Sequence, residues 1–64
     1  MKIKHAYYYK YKGENKLEFA NVKTLEQAII KGYTLFPRPA QIWVSIEGTL
    51  HFVYEYQEVK SNEL

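Results

Sequence analysis

Residues 24 to 39 read Thr24-Leu25-Glu26-Gln27-Ala28-Ile29-Ile30-Lys31-Gly32-Tyr33-Thr34-Leu35-Phe36-Pro37-Arg38-Pro39. The first four form a capping-box sequence, in which the threonine hydroxyl accepts a backbone N–H three residues on and the glutamine reaches back. A helix is expected to start here. Leu25, Ala28, Ile29, Gly32 and Phe36 fall at helical spacing on one face, with Glu26, Gln27 and Lys31 opposite. Pro37 and Pro39 set its far limit, because neither donates to a helical ladder and each biases its predecessor towards extended geometry. Gly32 offers an earlier stop as a C-cap. With only two or three turns, such a helix needs a sheet to pack against.

Both flanks supply strands. On the N-terminal side residues 3 to 11 alternate, with Ile3, His5, Tyr7, Tyr9 and Tyr11 on one face and Lys4, Ala6, Tyr8 and Lys10 on the other, in a run rich in strand-favouring tyrosine. Gly13-Glu14-Asn15 supplies turn residues, and Leu17-Glu18-Phe19-Ala20 resumes the alternation. On the C-terminal side Ile42-Trp43-Val44-Ser45-Ile46, the turn Glu47-Gly48-Thr49 and Leu50 to Tyr56 form a second hairpin.

Slipping a pairing by one residue exchanges the faces of one strand relative to the other, so side-chain parity can be used to choose the register. Odd-length loops keep charge off the apolar faces. In the first hairpin they set Tyr9 opposite Phe19 and Lys10 opposite Glu18. In the second they align Ile42, Val44, Ile46, Leu50, Phe52, Tyr54 and Tyr56, leaving Trp43, Ser45, His51, Val53 and Glu55 on the other face. The expected fold is α+β, a ββαββ chain forming a four-stranded antiparallel sheet with one short helix packed on one face. Its core would draw on Tyr9, Phe19, Leu25, Ile29, Phe36, Val44, Ile46 and Phe52. Residues 1–64 are read as one small domain, with 57–64 a frayed tail.

A chain of 64 residues buries only about 60% of its unfolded surface, so its core is thin. Disulfides, metals or oligomerisation usually reinforce such a domain. There is no cysteine, and His5 and His51 stand far apart in sequence, which leaves self-association, as a homodimer or higher oligomer. The 47% hydrophobic and 17% aromatic content excludes a disordered chain of the low-hydrophobicity type. No apolar run reaches the roughly 18 residues of a membrane span, and the N-terminus lacks a signal-peptide pattern. A cytoplasmic location and no membrane partner are expected.

The requirements of catalysis are strict: a nucleophile with its base, a carboxylate pair, a metal cluster or a phosphate-cradling loop. No such pattern is visible, and neither histidine has a neighbour at metal-ligand spacing. The expectation is a non-enzymatic binding protein without cofactor or metal. Net charge is only +2, but lysines 2, 4, 10, 12 and 16 face Glu14 alone in the first sixteen residues, while Glu47, Glu55, Glu58 and Glu63 crowd the other end. Complementary neighbouring strands give such a pattern, as do two separate partner surfaces.

Two candidate surfaces follow. Lys4, Tyr8, Lys10 and Lys12, joined by Arg38, have the character of an aromatic and basic platform on which bases stack while cations meet phosphate, the ligand being nucleic acid or a nucleotide. A lysine-rich strand also protects a sheet edge from pairing with other chains, which is the plainer account. Trp43, with His51 and Val53 beside it, forms the second candidate, a contact face of the kind that large exposed aromatics make. Through it, or through a sheet edge, the chain would dock on a host protein as an inhibitor or adaptor of the compact sort that phages encode, an analogy from size and composition alone.

Overall fold

The structure, a computed structural model, describes residues 4–57. Five elements follow in the order β1 (His5–Lys10), β2 (Leu17–Ala20), α1 (Leu25–Tyr33), β3 (Gln41–Ile46) and β4 (Thr49–Glu55). The strands form one antiparallel sheet in the order β2-β1-β3-β4. The expected ββαββ α+β fold is therefore the one observed. Residues 1 to 3, with Lys2 and Ile3, and residues 58 to 64, which make up nearly all of the expected frayed tail, lie outside the described residues.

The helix begins where the capping box places it. Thr24 Oγ1 accepts the Gln27 N–H at 3.1 Å, and Gln27 Oε1 accepts the Lys23 N–H at 3.0 Å. It ends at Thr34, whose N–H and hydroxyl both donate to the Lys31 carbonyl, at 2.9 and 2.6 Å. Gly32 is thus not the C-cap but lies inside the helix, buried against Tyr56. A Cβ at that position would overlap the Tyr56 hydroxyl. Glycine costs a helix about 1 kcal/mol relative to alanine, and here the close approach of a tyrosine requires it.

Two tyrosine hydroxyls fasten the helix to the sheet. Tyr9 of β1 donates to the Ala28 carbonyl at 2.6 Å, and Tyr56, just past β4, reaches the Ile29 carbonyl at 2.9 Å. Tyr9, Ala20, Ala28, Ile42 and Tyr56 form the buried cluster, with Leu25, Ile29, Leu35, Val53 and Tyr54 packed against it. A buried tyrosine contributes apolar area only if its hydroxyl finds a partner, and helix carbonyls with a spare lone pair supply one.

Both expected registers are off by one. In the first hairpin Tyr9 stands opposite Glu18 and Tyr8 opposite Phe19. The Glu14 N–H bonds the Tyr11 carbonyl at 3.0 Å around Gly13, whose φ is +81°. The turn therefore sits two residues earlier than expected, and residues 11 to 16 lie between the last paired residues, Lys10 and Leu17. Parity reasoning rejected this register because it puts Glu18 on the apolar side. On an edge strand that placement is harmless, because Glu18 remains exposed.

In the second hairpin Ile46 pairs with Thr49 across the two-residue turn Glu47-Gly48, with φ of +51° and +87°. Positive φ at both central residues marks a type I′ turn, whose twist matches that of the flanking strands. Backbone geometry thus outweighs side-chain parity at both turns. A β-bulge at Val53 then adds one residue to β4 and returns Tyr54 and Tyr56 to the helix side.

The core list changes accordingly. Phe19 and Phe52 move to the face away from the helix, 62% and 48% exposed, and Phe36, beyond the helix end, is fully exposed. Two members of the expected Trp43 surface move as well. Val53 packs against the core, and His51 pairs with Val44 on the helix side.

Candidate functional site

Among the described residues the helix covers one face of the sheet and nothing covers the other, and directly opposed residues of an antiparallel pair share a face. Phe19 opposes Tyr8, Tyr8 opposes Trp43, and Trp43 opposes Phe52. The uncovered face therefore carries one aromatic side chain from each of the four strands, in a single row perpendicular to them. Ring centroids lie 5.7 Å apart for Tyr8–Phe19 and 5.7 Å for Trp43–Phe52, edge-on and tilted respectively. Such offsets suit the ring quadrupoles and leave faces and edges of the rings to solvent. Tyr8 and Trp43 are half-buried by their neighbours, and the outer two rings are more exposed.

One rung along the strands, on the same face, stands a second row, Leu17, Lys10, Gln41 and Glu55. Two residues along a strand span roughly 7 Å, so a group lying on the aromatic row has these side chains at its border. The Trp43 indole donates to Gln41 Oε1 at 3.1 Å, which fixes the ring plane and ties the two rows together. Beyond the second row opens a cavity of about 650 Å³, lined by Lys10, Lys12, Gly13, Gln41, Glu55 and Gln57 among others. On the opposite side of the aromatic row come Ala6, Ser45 and Leu50, the last 46% exposed.

Of the platform residues expected from sequence, Tyr8 is central to the row, Lys10 borders it and Lys12 lines the cavity. Lys4, exposed, precedes β1 at the alternation position of Ala6, Tyr8 and Lys10. β1 is a central strand, so these lysines do not guard a sheet edge. Nor is Lys10 directly opposite Glu55 of β4, because Gln41 of β3 stands between them. Arg38 is elsewhere: it lies 5.5 Å from the Tyr33 ring centroid and donates to the Gln57 carbonyl at 3.3 Å.

Trp43 does project from the uncovered face, but its companions are Tyr8, Phe19 and Phe52. The alternation assigns Phe19 and Phe52 to the core and Glu55 to the Trp43 face, where it stands, and gives Gln41 no role. The pair Glu47-Gly48, read as a two-residue type I′ turn, is the signal for Phe52; Phe19 is set by the first turn, and Glu55 stands on this face through the bulge at Val53. Among the described residues no three His, Asp or Glu side chains gather at a metal-binding spacing, and no helix is long and apolar enough to cross a membrane.

Burial raises the pKa of Tyr9 and Tyr56 above the ordinary 10.0, with neighbouring tyrosines adding to the effect. The hydroxyls that hold the helix therefore stay protonated through the neutral range. In comparisons with protein-family models, with curated proteins and with solved structures, the chain matches none.

Proposed function

We propose that this chain is a non-catalytic binding module for single-stranded nucleic acid, whose bases stack on the row Phe19, Tyr8, Trp43 and Phe52 while Lys4, Lys10 and Lys12 meet the backbone. The observation that carries this reading is the row itself, with one aromatic from every strand on the face that the helix leaves open. Every base has a π-face, so stacking on such a platform is sequence-tolerant and contributes about 1–3 kcal/mol per base. Across three strand spacings of about 4.8 Å the row extends roughly 14 Å, room for a few bases.

The competing occupant is protein, either a second copy or a host target docked on the same face. Exposed Leu50 and Phe52 at the β4 side favour it. Size argues the other way. Four strands by about six residues give a flat footprint of roughly 20 Å on a side, at the small end for a protein interface, which at standard size buries about 800 Å² of accessible surface per partner.

The lone tryptophan reports on both. Titrated at low salt with an oligonucleotide, Trp43 fluorescence should be quenched, and the apparent affinity should fall steeply as salt rises. Tyr8→Ala or Trp43→Ala should weaken binding by about 5- to 150-fold, the equivalent of one stacked base. Lys10→Gln should lower the salt slope by about one. A fluorescence that ignores oligonucleotide but shifts blue as protein concentration rises would assign the face to a second copy instead.

A further inference from the structure

We infer that the nucleic acid is RNA, its ribose 2′-hydroxyl held by the Glu55 carboxylate at the mouth of the strand-end cavity. This rests on the stacking reading and deepens it. A base lying on Trp43 occupies the aromatic row, and the next group along the nucleotide is its sugar. One rung further along the same face stand Gln41 and Glu55, directly opposite each other across β3 and β4. Gln41 spends its Oε1 on the Trp43 indole, so its amide NH2 faces any further partner as a donor. Glu55 is exposed, on the cavity wall, and an ionised carboxylate only accepts.

A phosphate beside Glu55 is repelled, whereas a hydroxyl donating to it makes a charge-assisted hydrogen bond. The polar lining of the cavity is thus divided. Lys10 and Lys12 on one side suit phosphate, and Glu55, two strands away from Lys10, suits the neutral part of the nucleotide that carries a donor. The sugar has such a donor only in RNA, and the 2′-hydroxyl is the group by which proteins tell RNA from DNA at a given position. A DNA strand laid the same way meets an unpaired carboxylate close to its backbone.

The test compares octamers of riboruridylate and deoxyuridylate, which share a base and differ at the 2′ position, by quenching of Trp43 in the full chain. The RNA octamer should bind about tenfold more tightly, the worth of one such hydrogen bond. In Glu55→Ala the preference should vanish, with DNA affinity rising as the repulsion is removed. In Glu55→Gln, which keeps an acceptor without the charge, part of the preference should persist. Equal affinity of the unmodified protein for the two octamers, or a preference that survives Glu55→Ala, overturns the assignment and leaves the stacking platform standing. Absence of quenching by either octamer at low salt removes the platform itself, and this inference with it.

Discussion

Tyr8 and Tyr9 are neighbours on β1 with the same side chain, and they serve opposite faces of one sheet. Tyr9 lies under the helix, buried, its hydroxyl donating to the Ala28 carbonyl at 2.6 Å. Tyr8 sits edge-on to Phe19 on the face with no helix over it. The rows to which they belong differ in the same way. Glu18, Tyr9, Ile42 and Tyr54 oppose one another on the helix side, Glu18 at its exposed edge, whereas Phe19, Tyr8, Trp43 and Phe52 do so in the open. Residue type does not separate the two rows, since the open one is the more aromatic. What separates them is whether a helix supplies carbonyl partners and apolar cover, and that is decided by register.

The sharpest way to break this contrast is to truncate each tyrosine in turn. Tyr9→Ala removes a buried ring and should cost about 3–5 kcal/mol, a large part of the total for a chain whose stability is on the order of 3–10 kcal/mol. Tyr8→Ala loses an aromatic pair and should cost no more than about 1.5 kcal/mol, while impairing oligonucleotide binding. Urea unfolding followed by far-ultraviolet dichroism checks both. Equal midpoints for the two variants would mean that the faces are not distinct.

This contrast also shows what the sequence makes legible. The element order, the capped helix start at Thr24 and the inward direction of Tyr9, Ile42 and Val44 follow from local patterns of spacing and hydrogen-bonding side chains. Placement of Phe19, Phe52, His51 and Val53 does not, because it depends on how many residues each turn absorbs. Six residues around Gly13 and two at Glu47-Gly48 both defeat an argument that weighs only charge against apolar parity. Glu18 shows why: at an edge, a carboxylate on the covered side still reaches water. The bulge at Val53 has no signature in the alternation, and the strand order that makes β1 central arises from long-range pairing alone. Trp43 and Lys10 were legible as surface residues; the row that unites Trp43 with Phe19 and Phe52 was not.

A second test bears on the covered face alone. Gly32→Ala places a methyl group against the Tyr56 hydroxyl and ring, so the gain in helix propensity of about 1 kcal/mol should be outweighed by overpacking, for a net destabilisation of about 1–2 kcal/mol. Combining it with Tyr56→Leu should be markedly non-additive, because the ring that obstructs the methyl group is gone. Additive costs would show that the helix and Tyr56 do not meet. Oligonucleotide affinity should be unchanged by Gly32→Ala wherever the protein remains folded, since nothing on the open face touches that position.

Alkaline titration probes the covered face by a smaller effect. Tyr9 and Tyr56 hold their protons above 10.0 because they are buried, and in the unfolded chain they revert to that ordinary value. Their contribution is complete below pH about 10 and is lost as pH rises further, because the unfolded state ionises first and is favoured. Thermal midpoints should be level through the neutral range and fall above pH about 10. Tyr9→Phe should flatten that fall in part, at the expense of a lower midpoint at neutral pH. A fall that is identical in Tyr9→Phe and the parent chain would detach this hydroxyl from the alkaline transition.

The smallest expected change lies in the turn that orients both faces of β4. Glu47 adopts φ of +51°, a left-handed conformation that costs an ordinary L-residue about 1–2 kcal/mol and that asparagine visits more readily. Glu47→Asn, which creates the Asn-Gly pair preferred in type I′ turns, should therefore stabilise the protein by a few tenths to about 1 kcal/mol. Because the two-residue loop is retained, Phe52 remains opposite Trp43 and oligonucleotide affinity should stay within about twofold. Inserting one residue after Gly48, with the Glu47-Gly48 turn kept and the new residue paired with Ile46, shifts the register by one, which carries Phe52 towards the helix side and His51 to the open face. That variant should lose one end of the aromatic row and weaken binding even if it folds, so the pair of turn variants separates the stability of the hairpin from the face it presents.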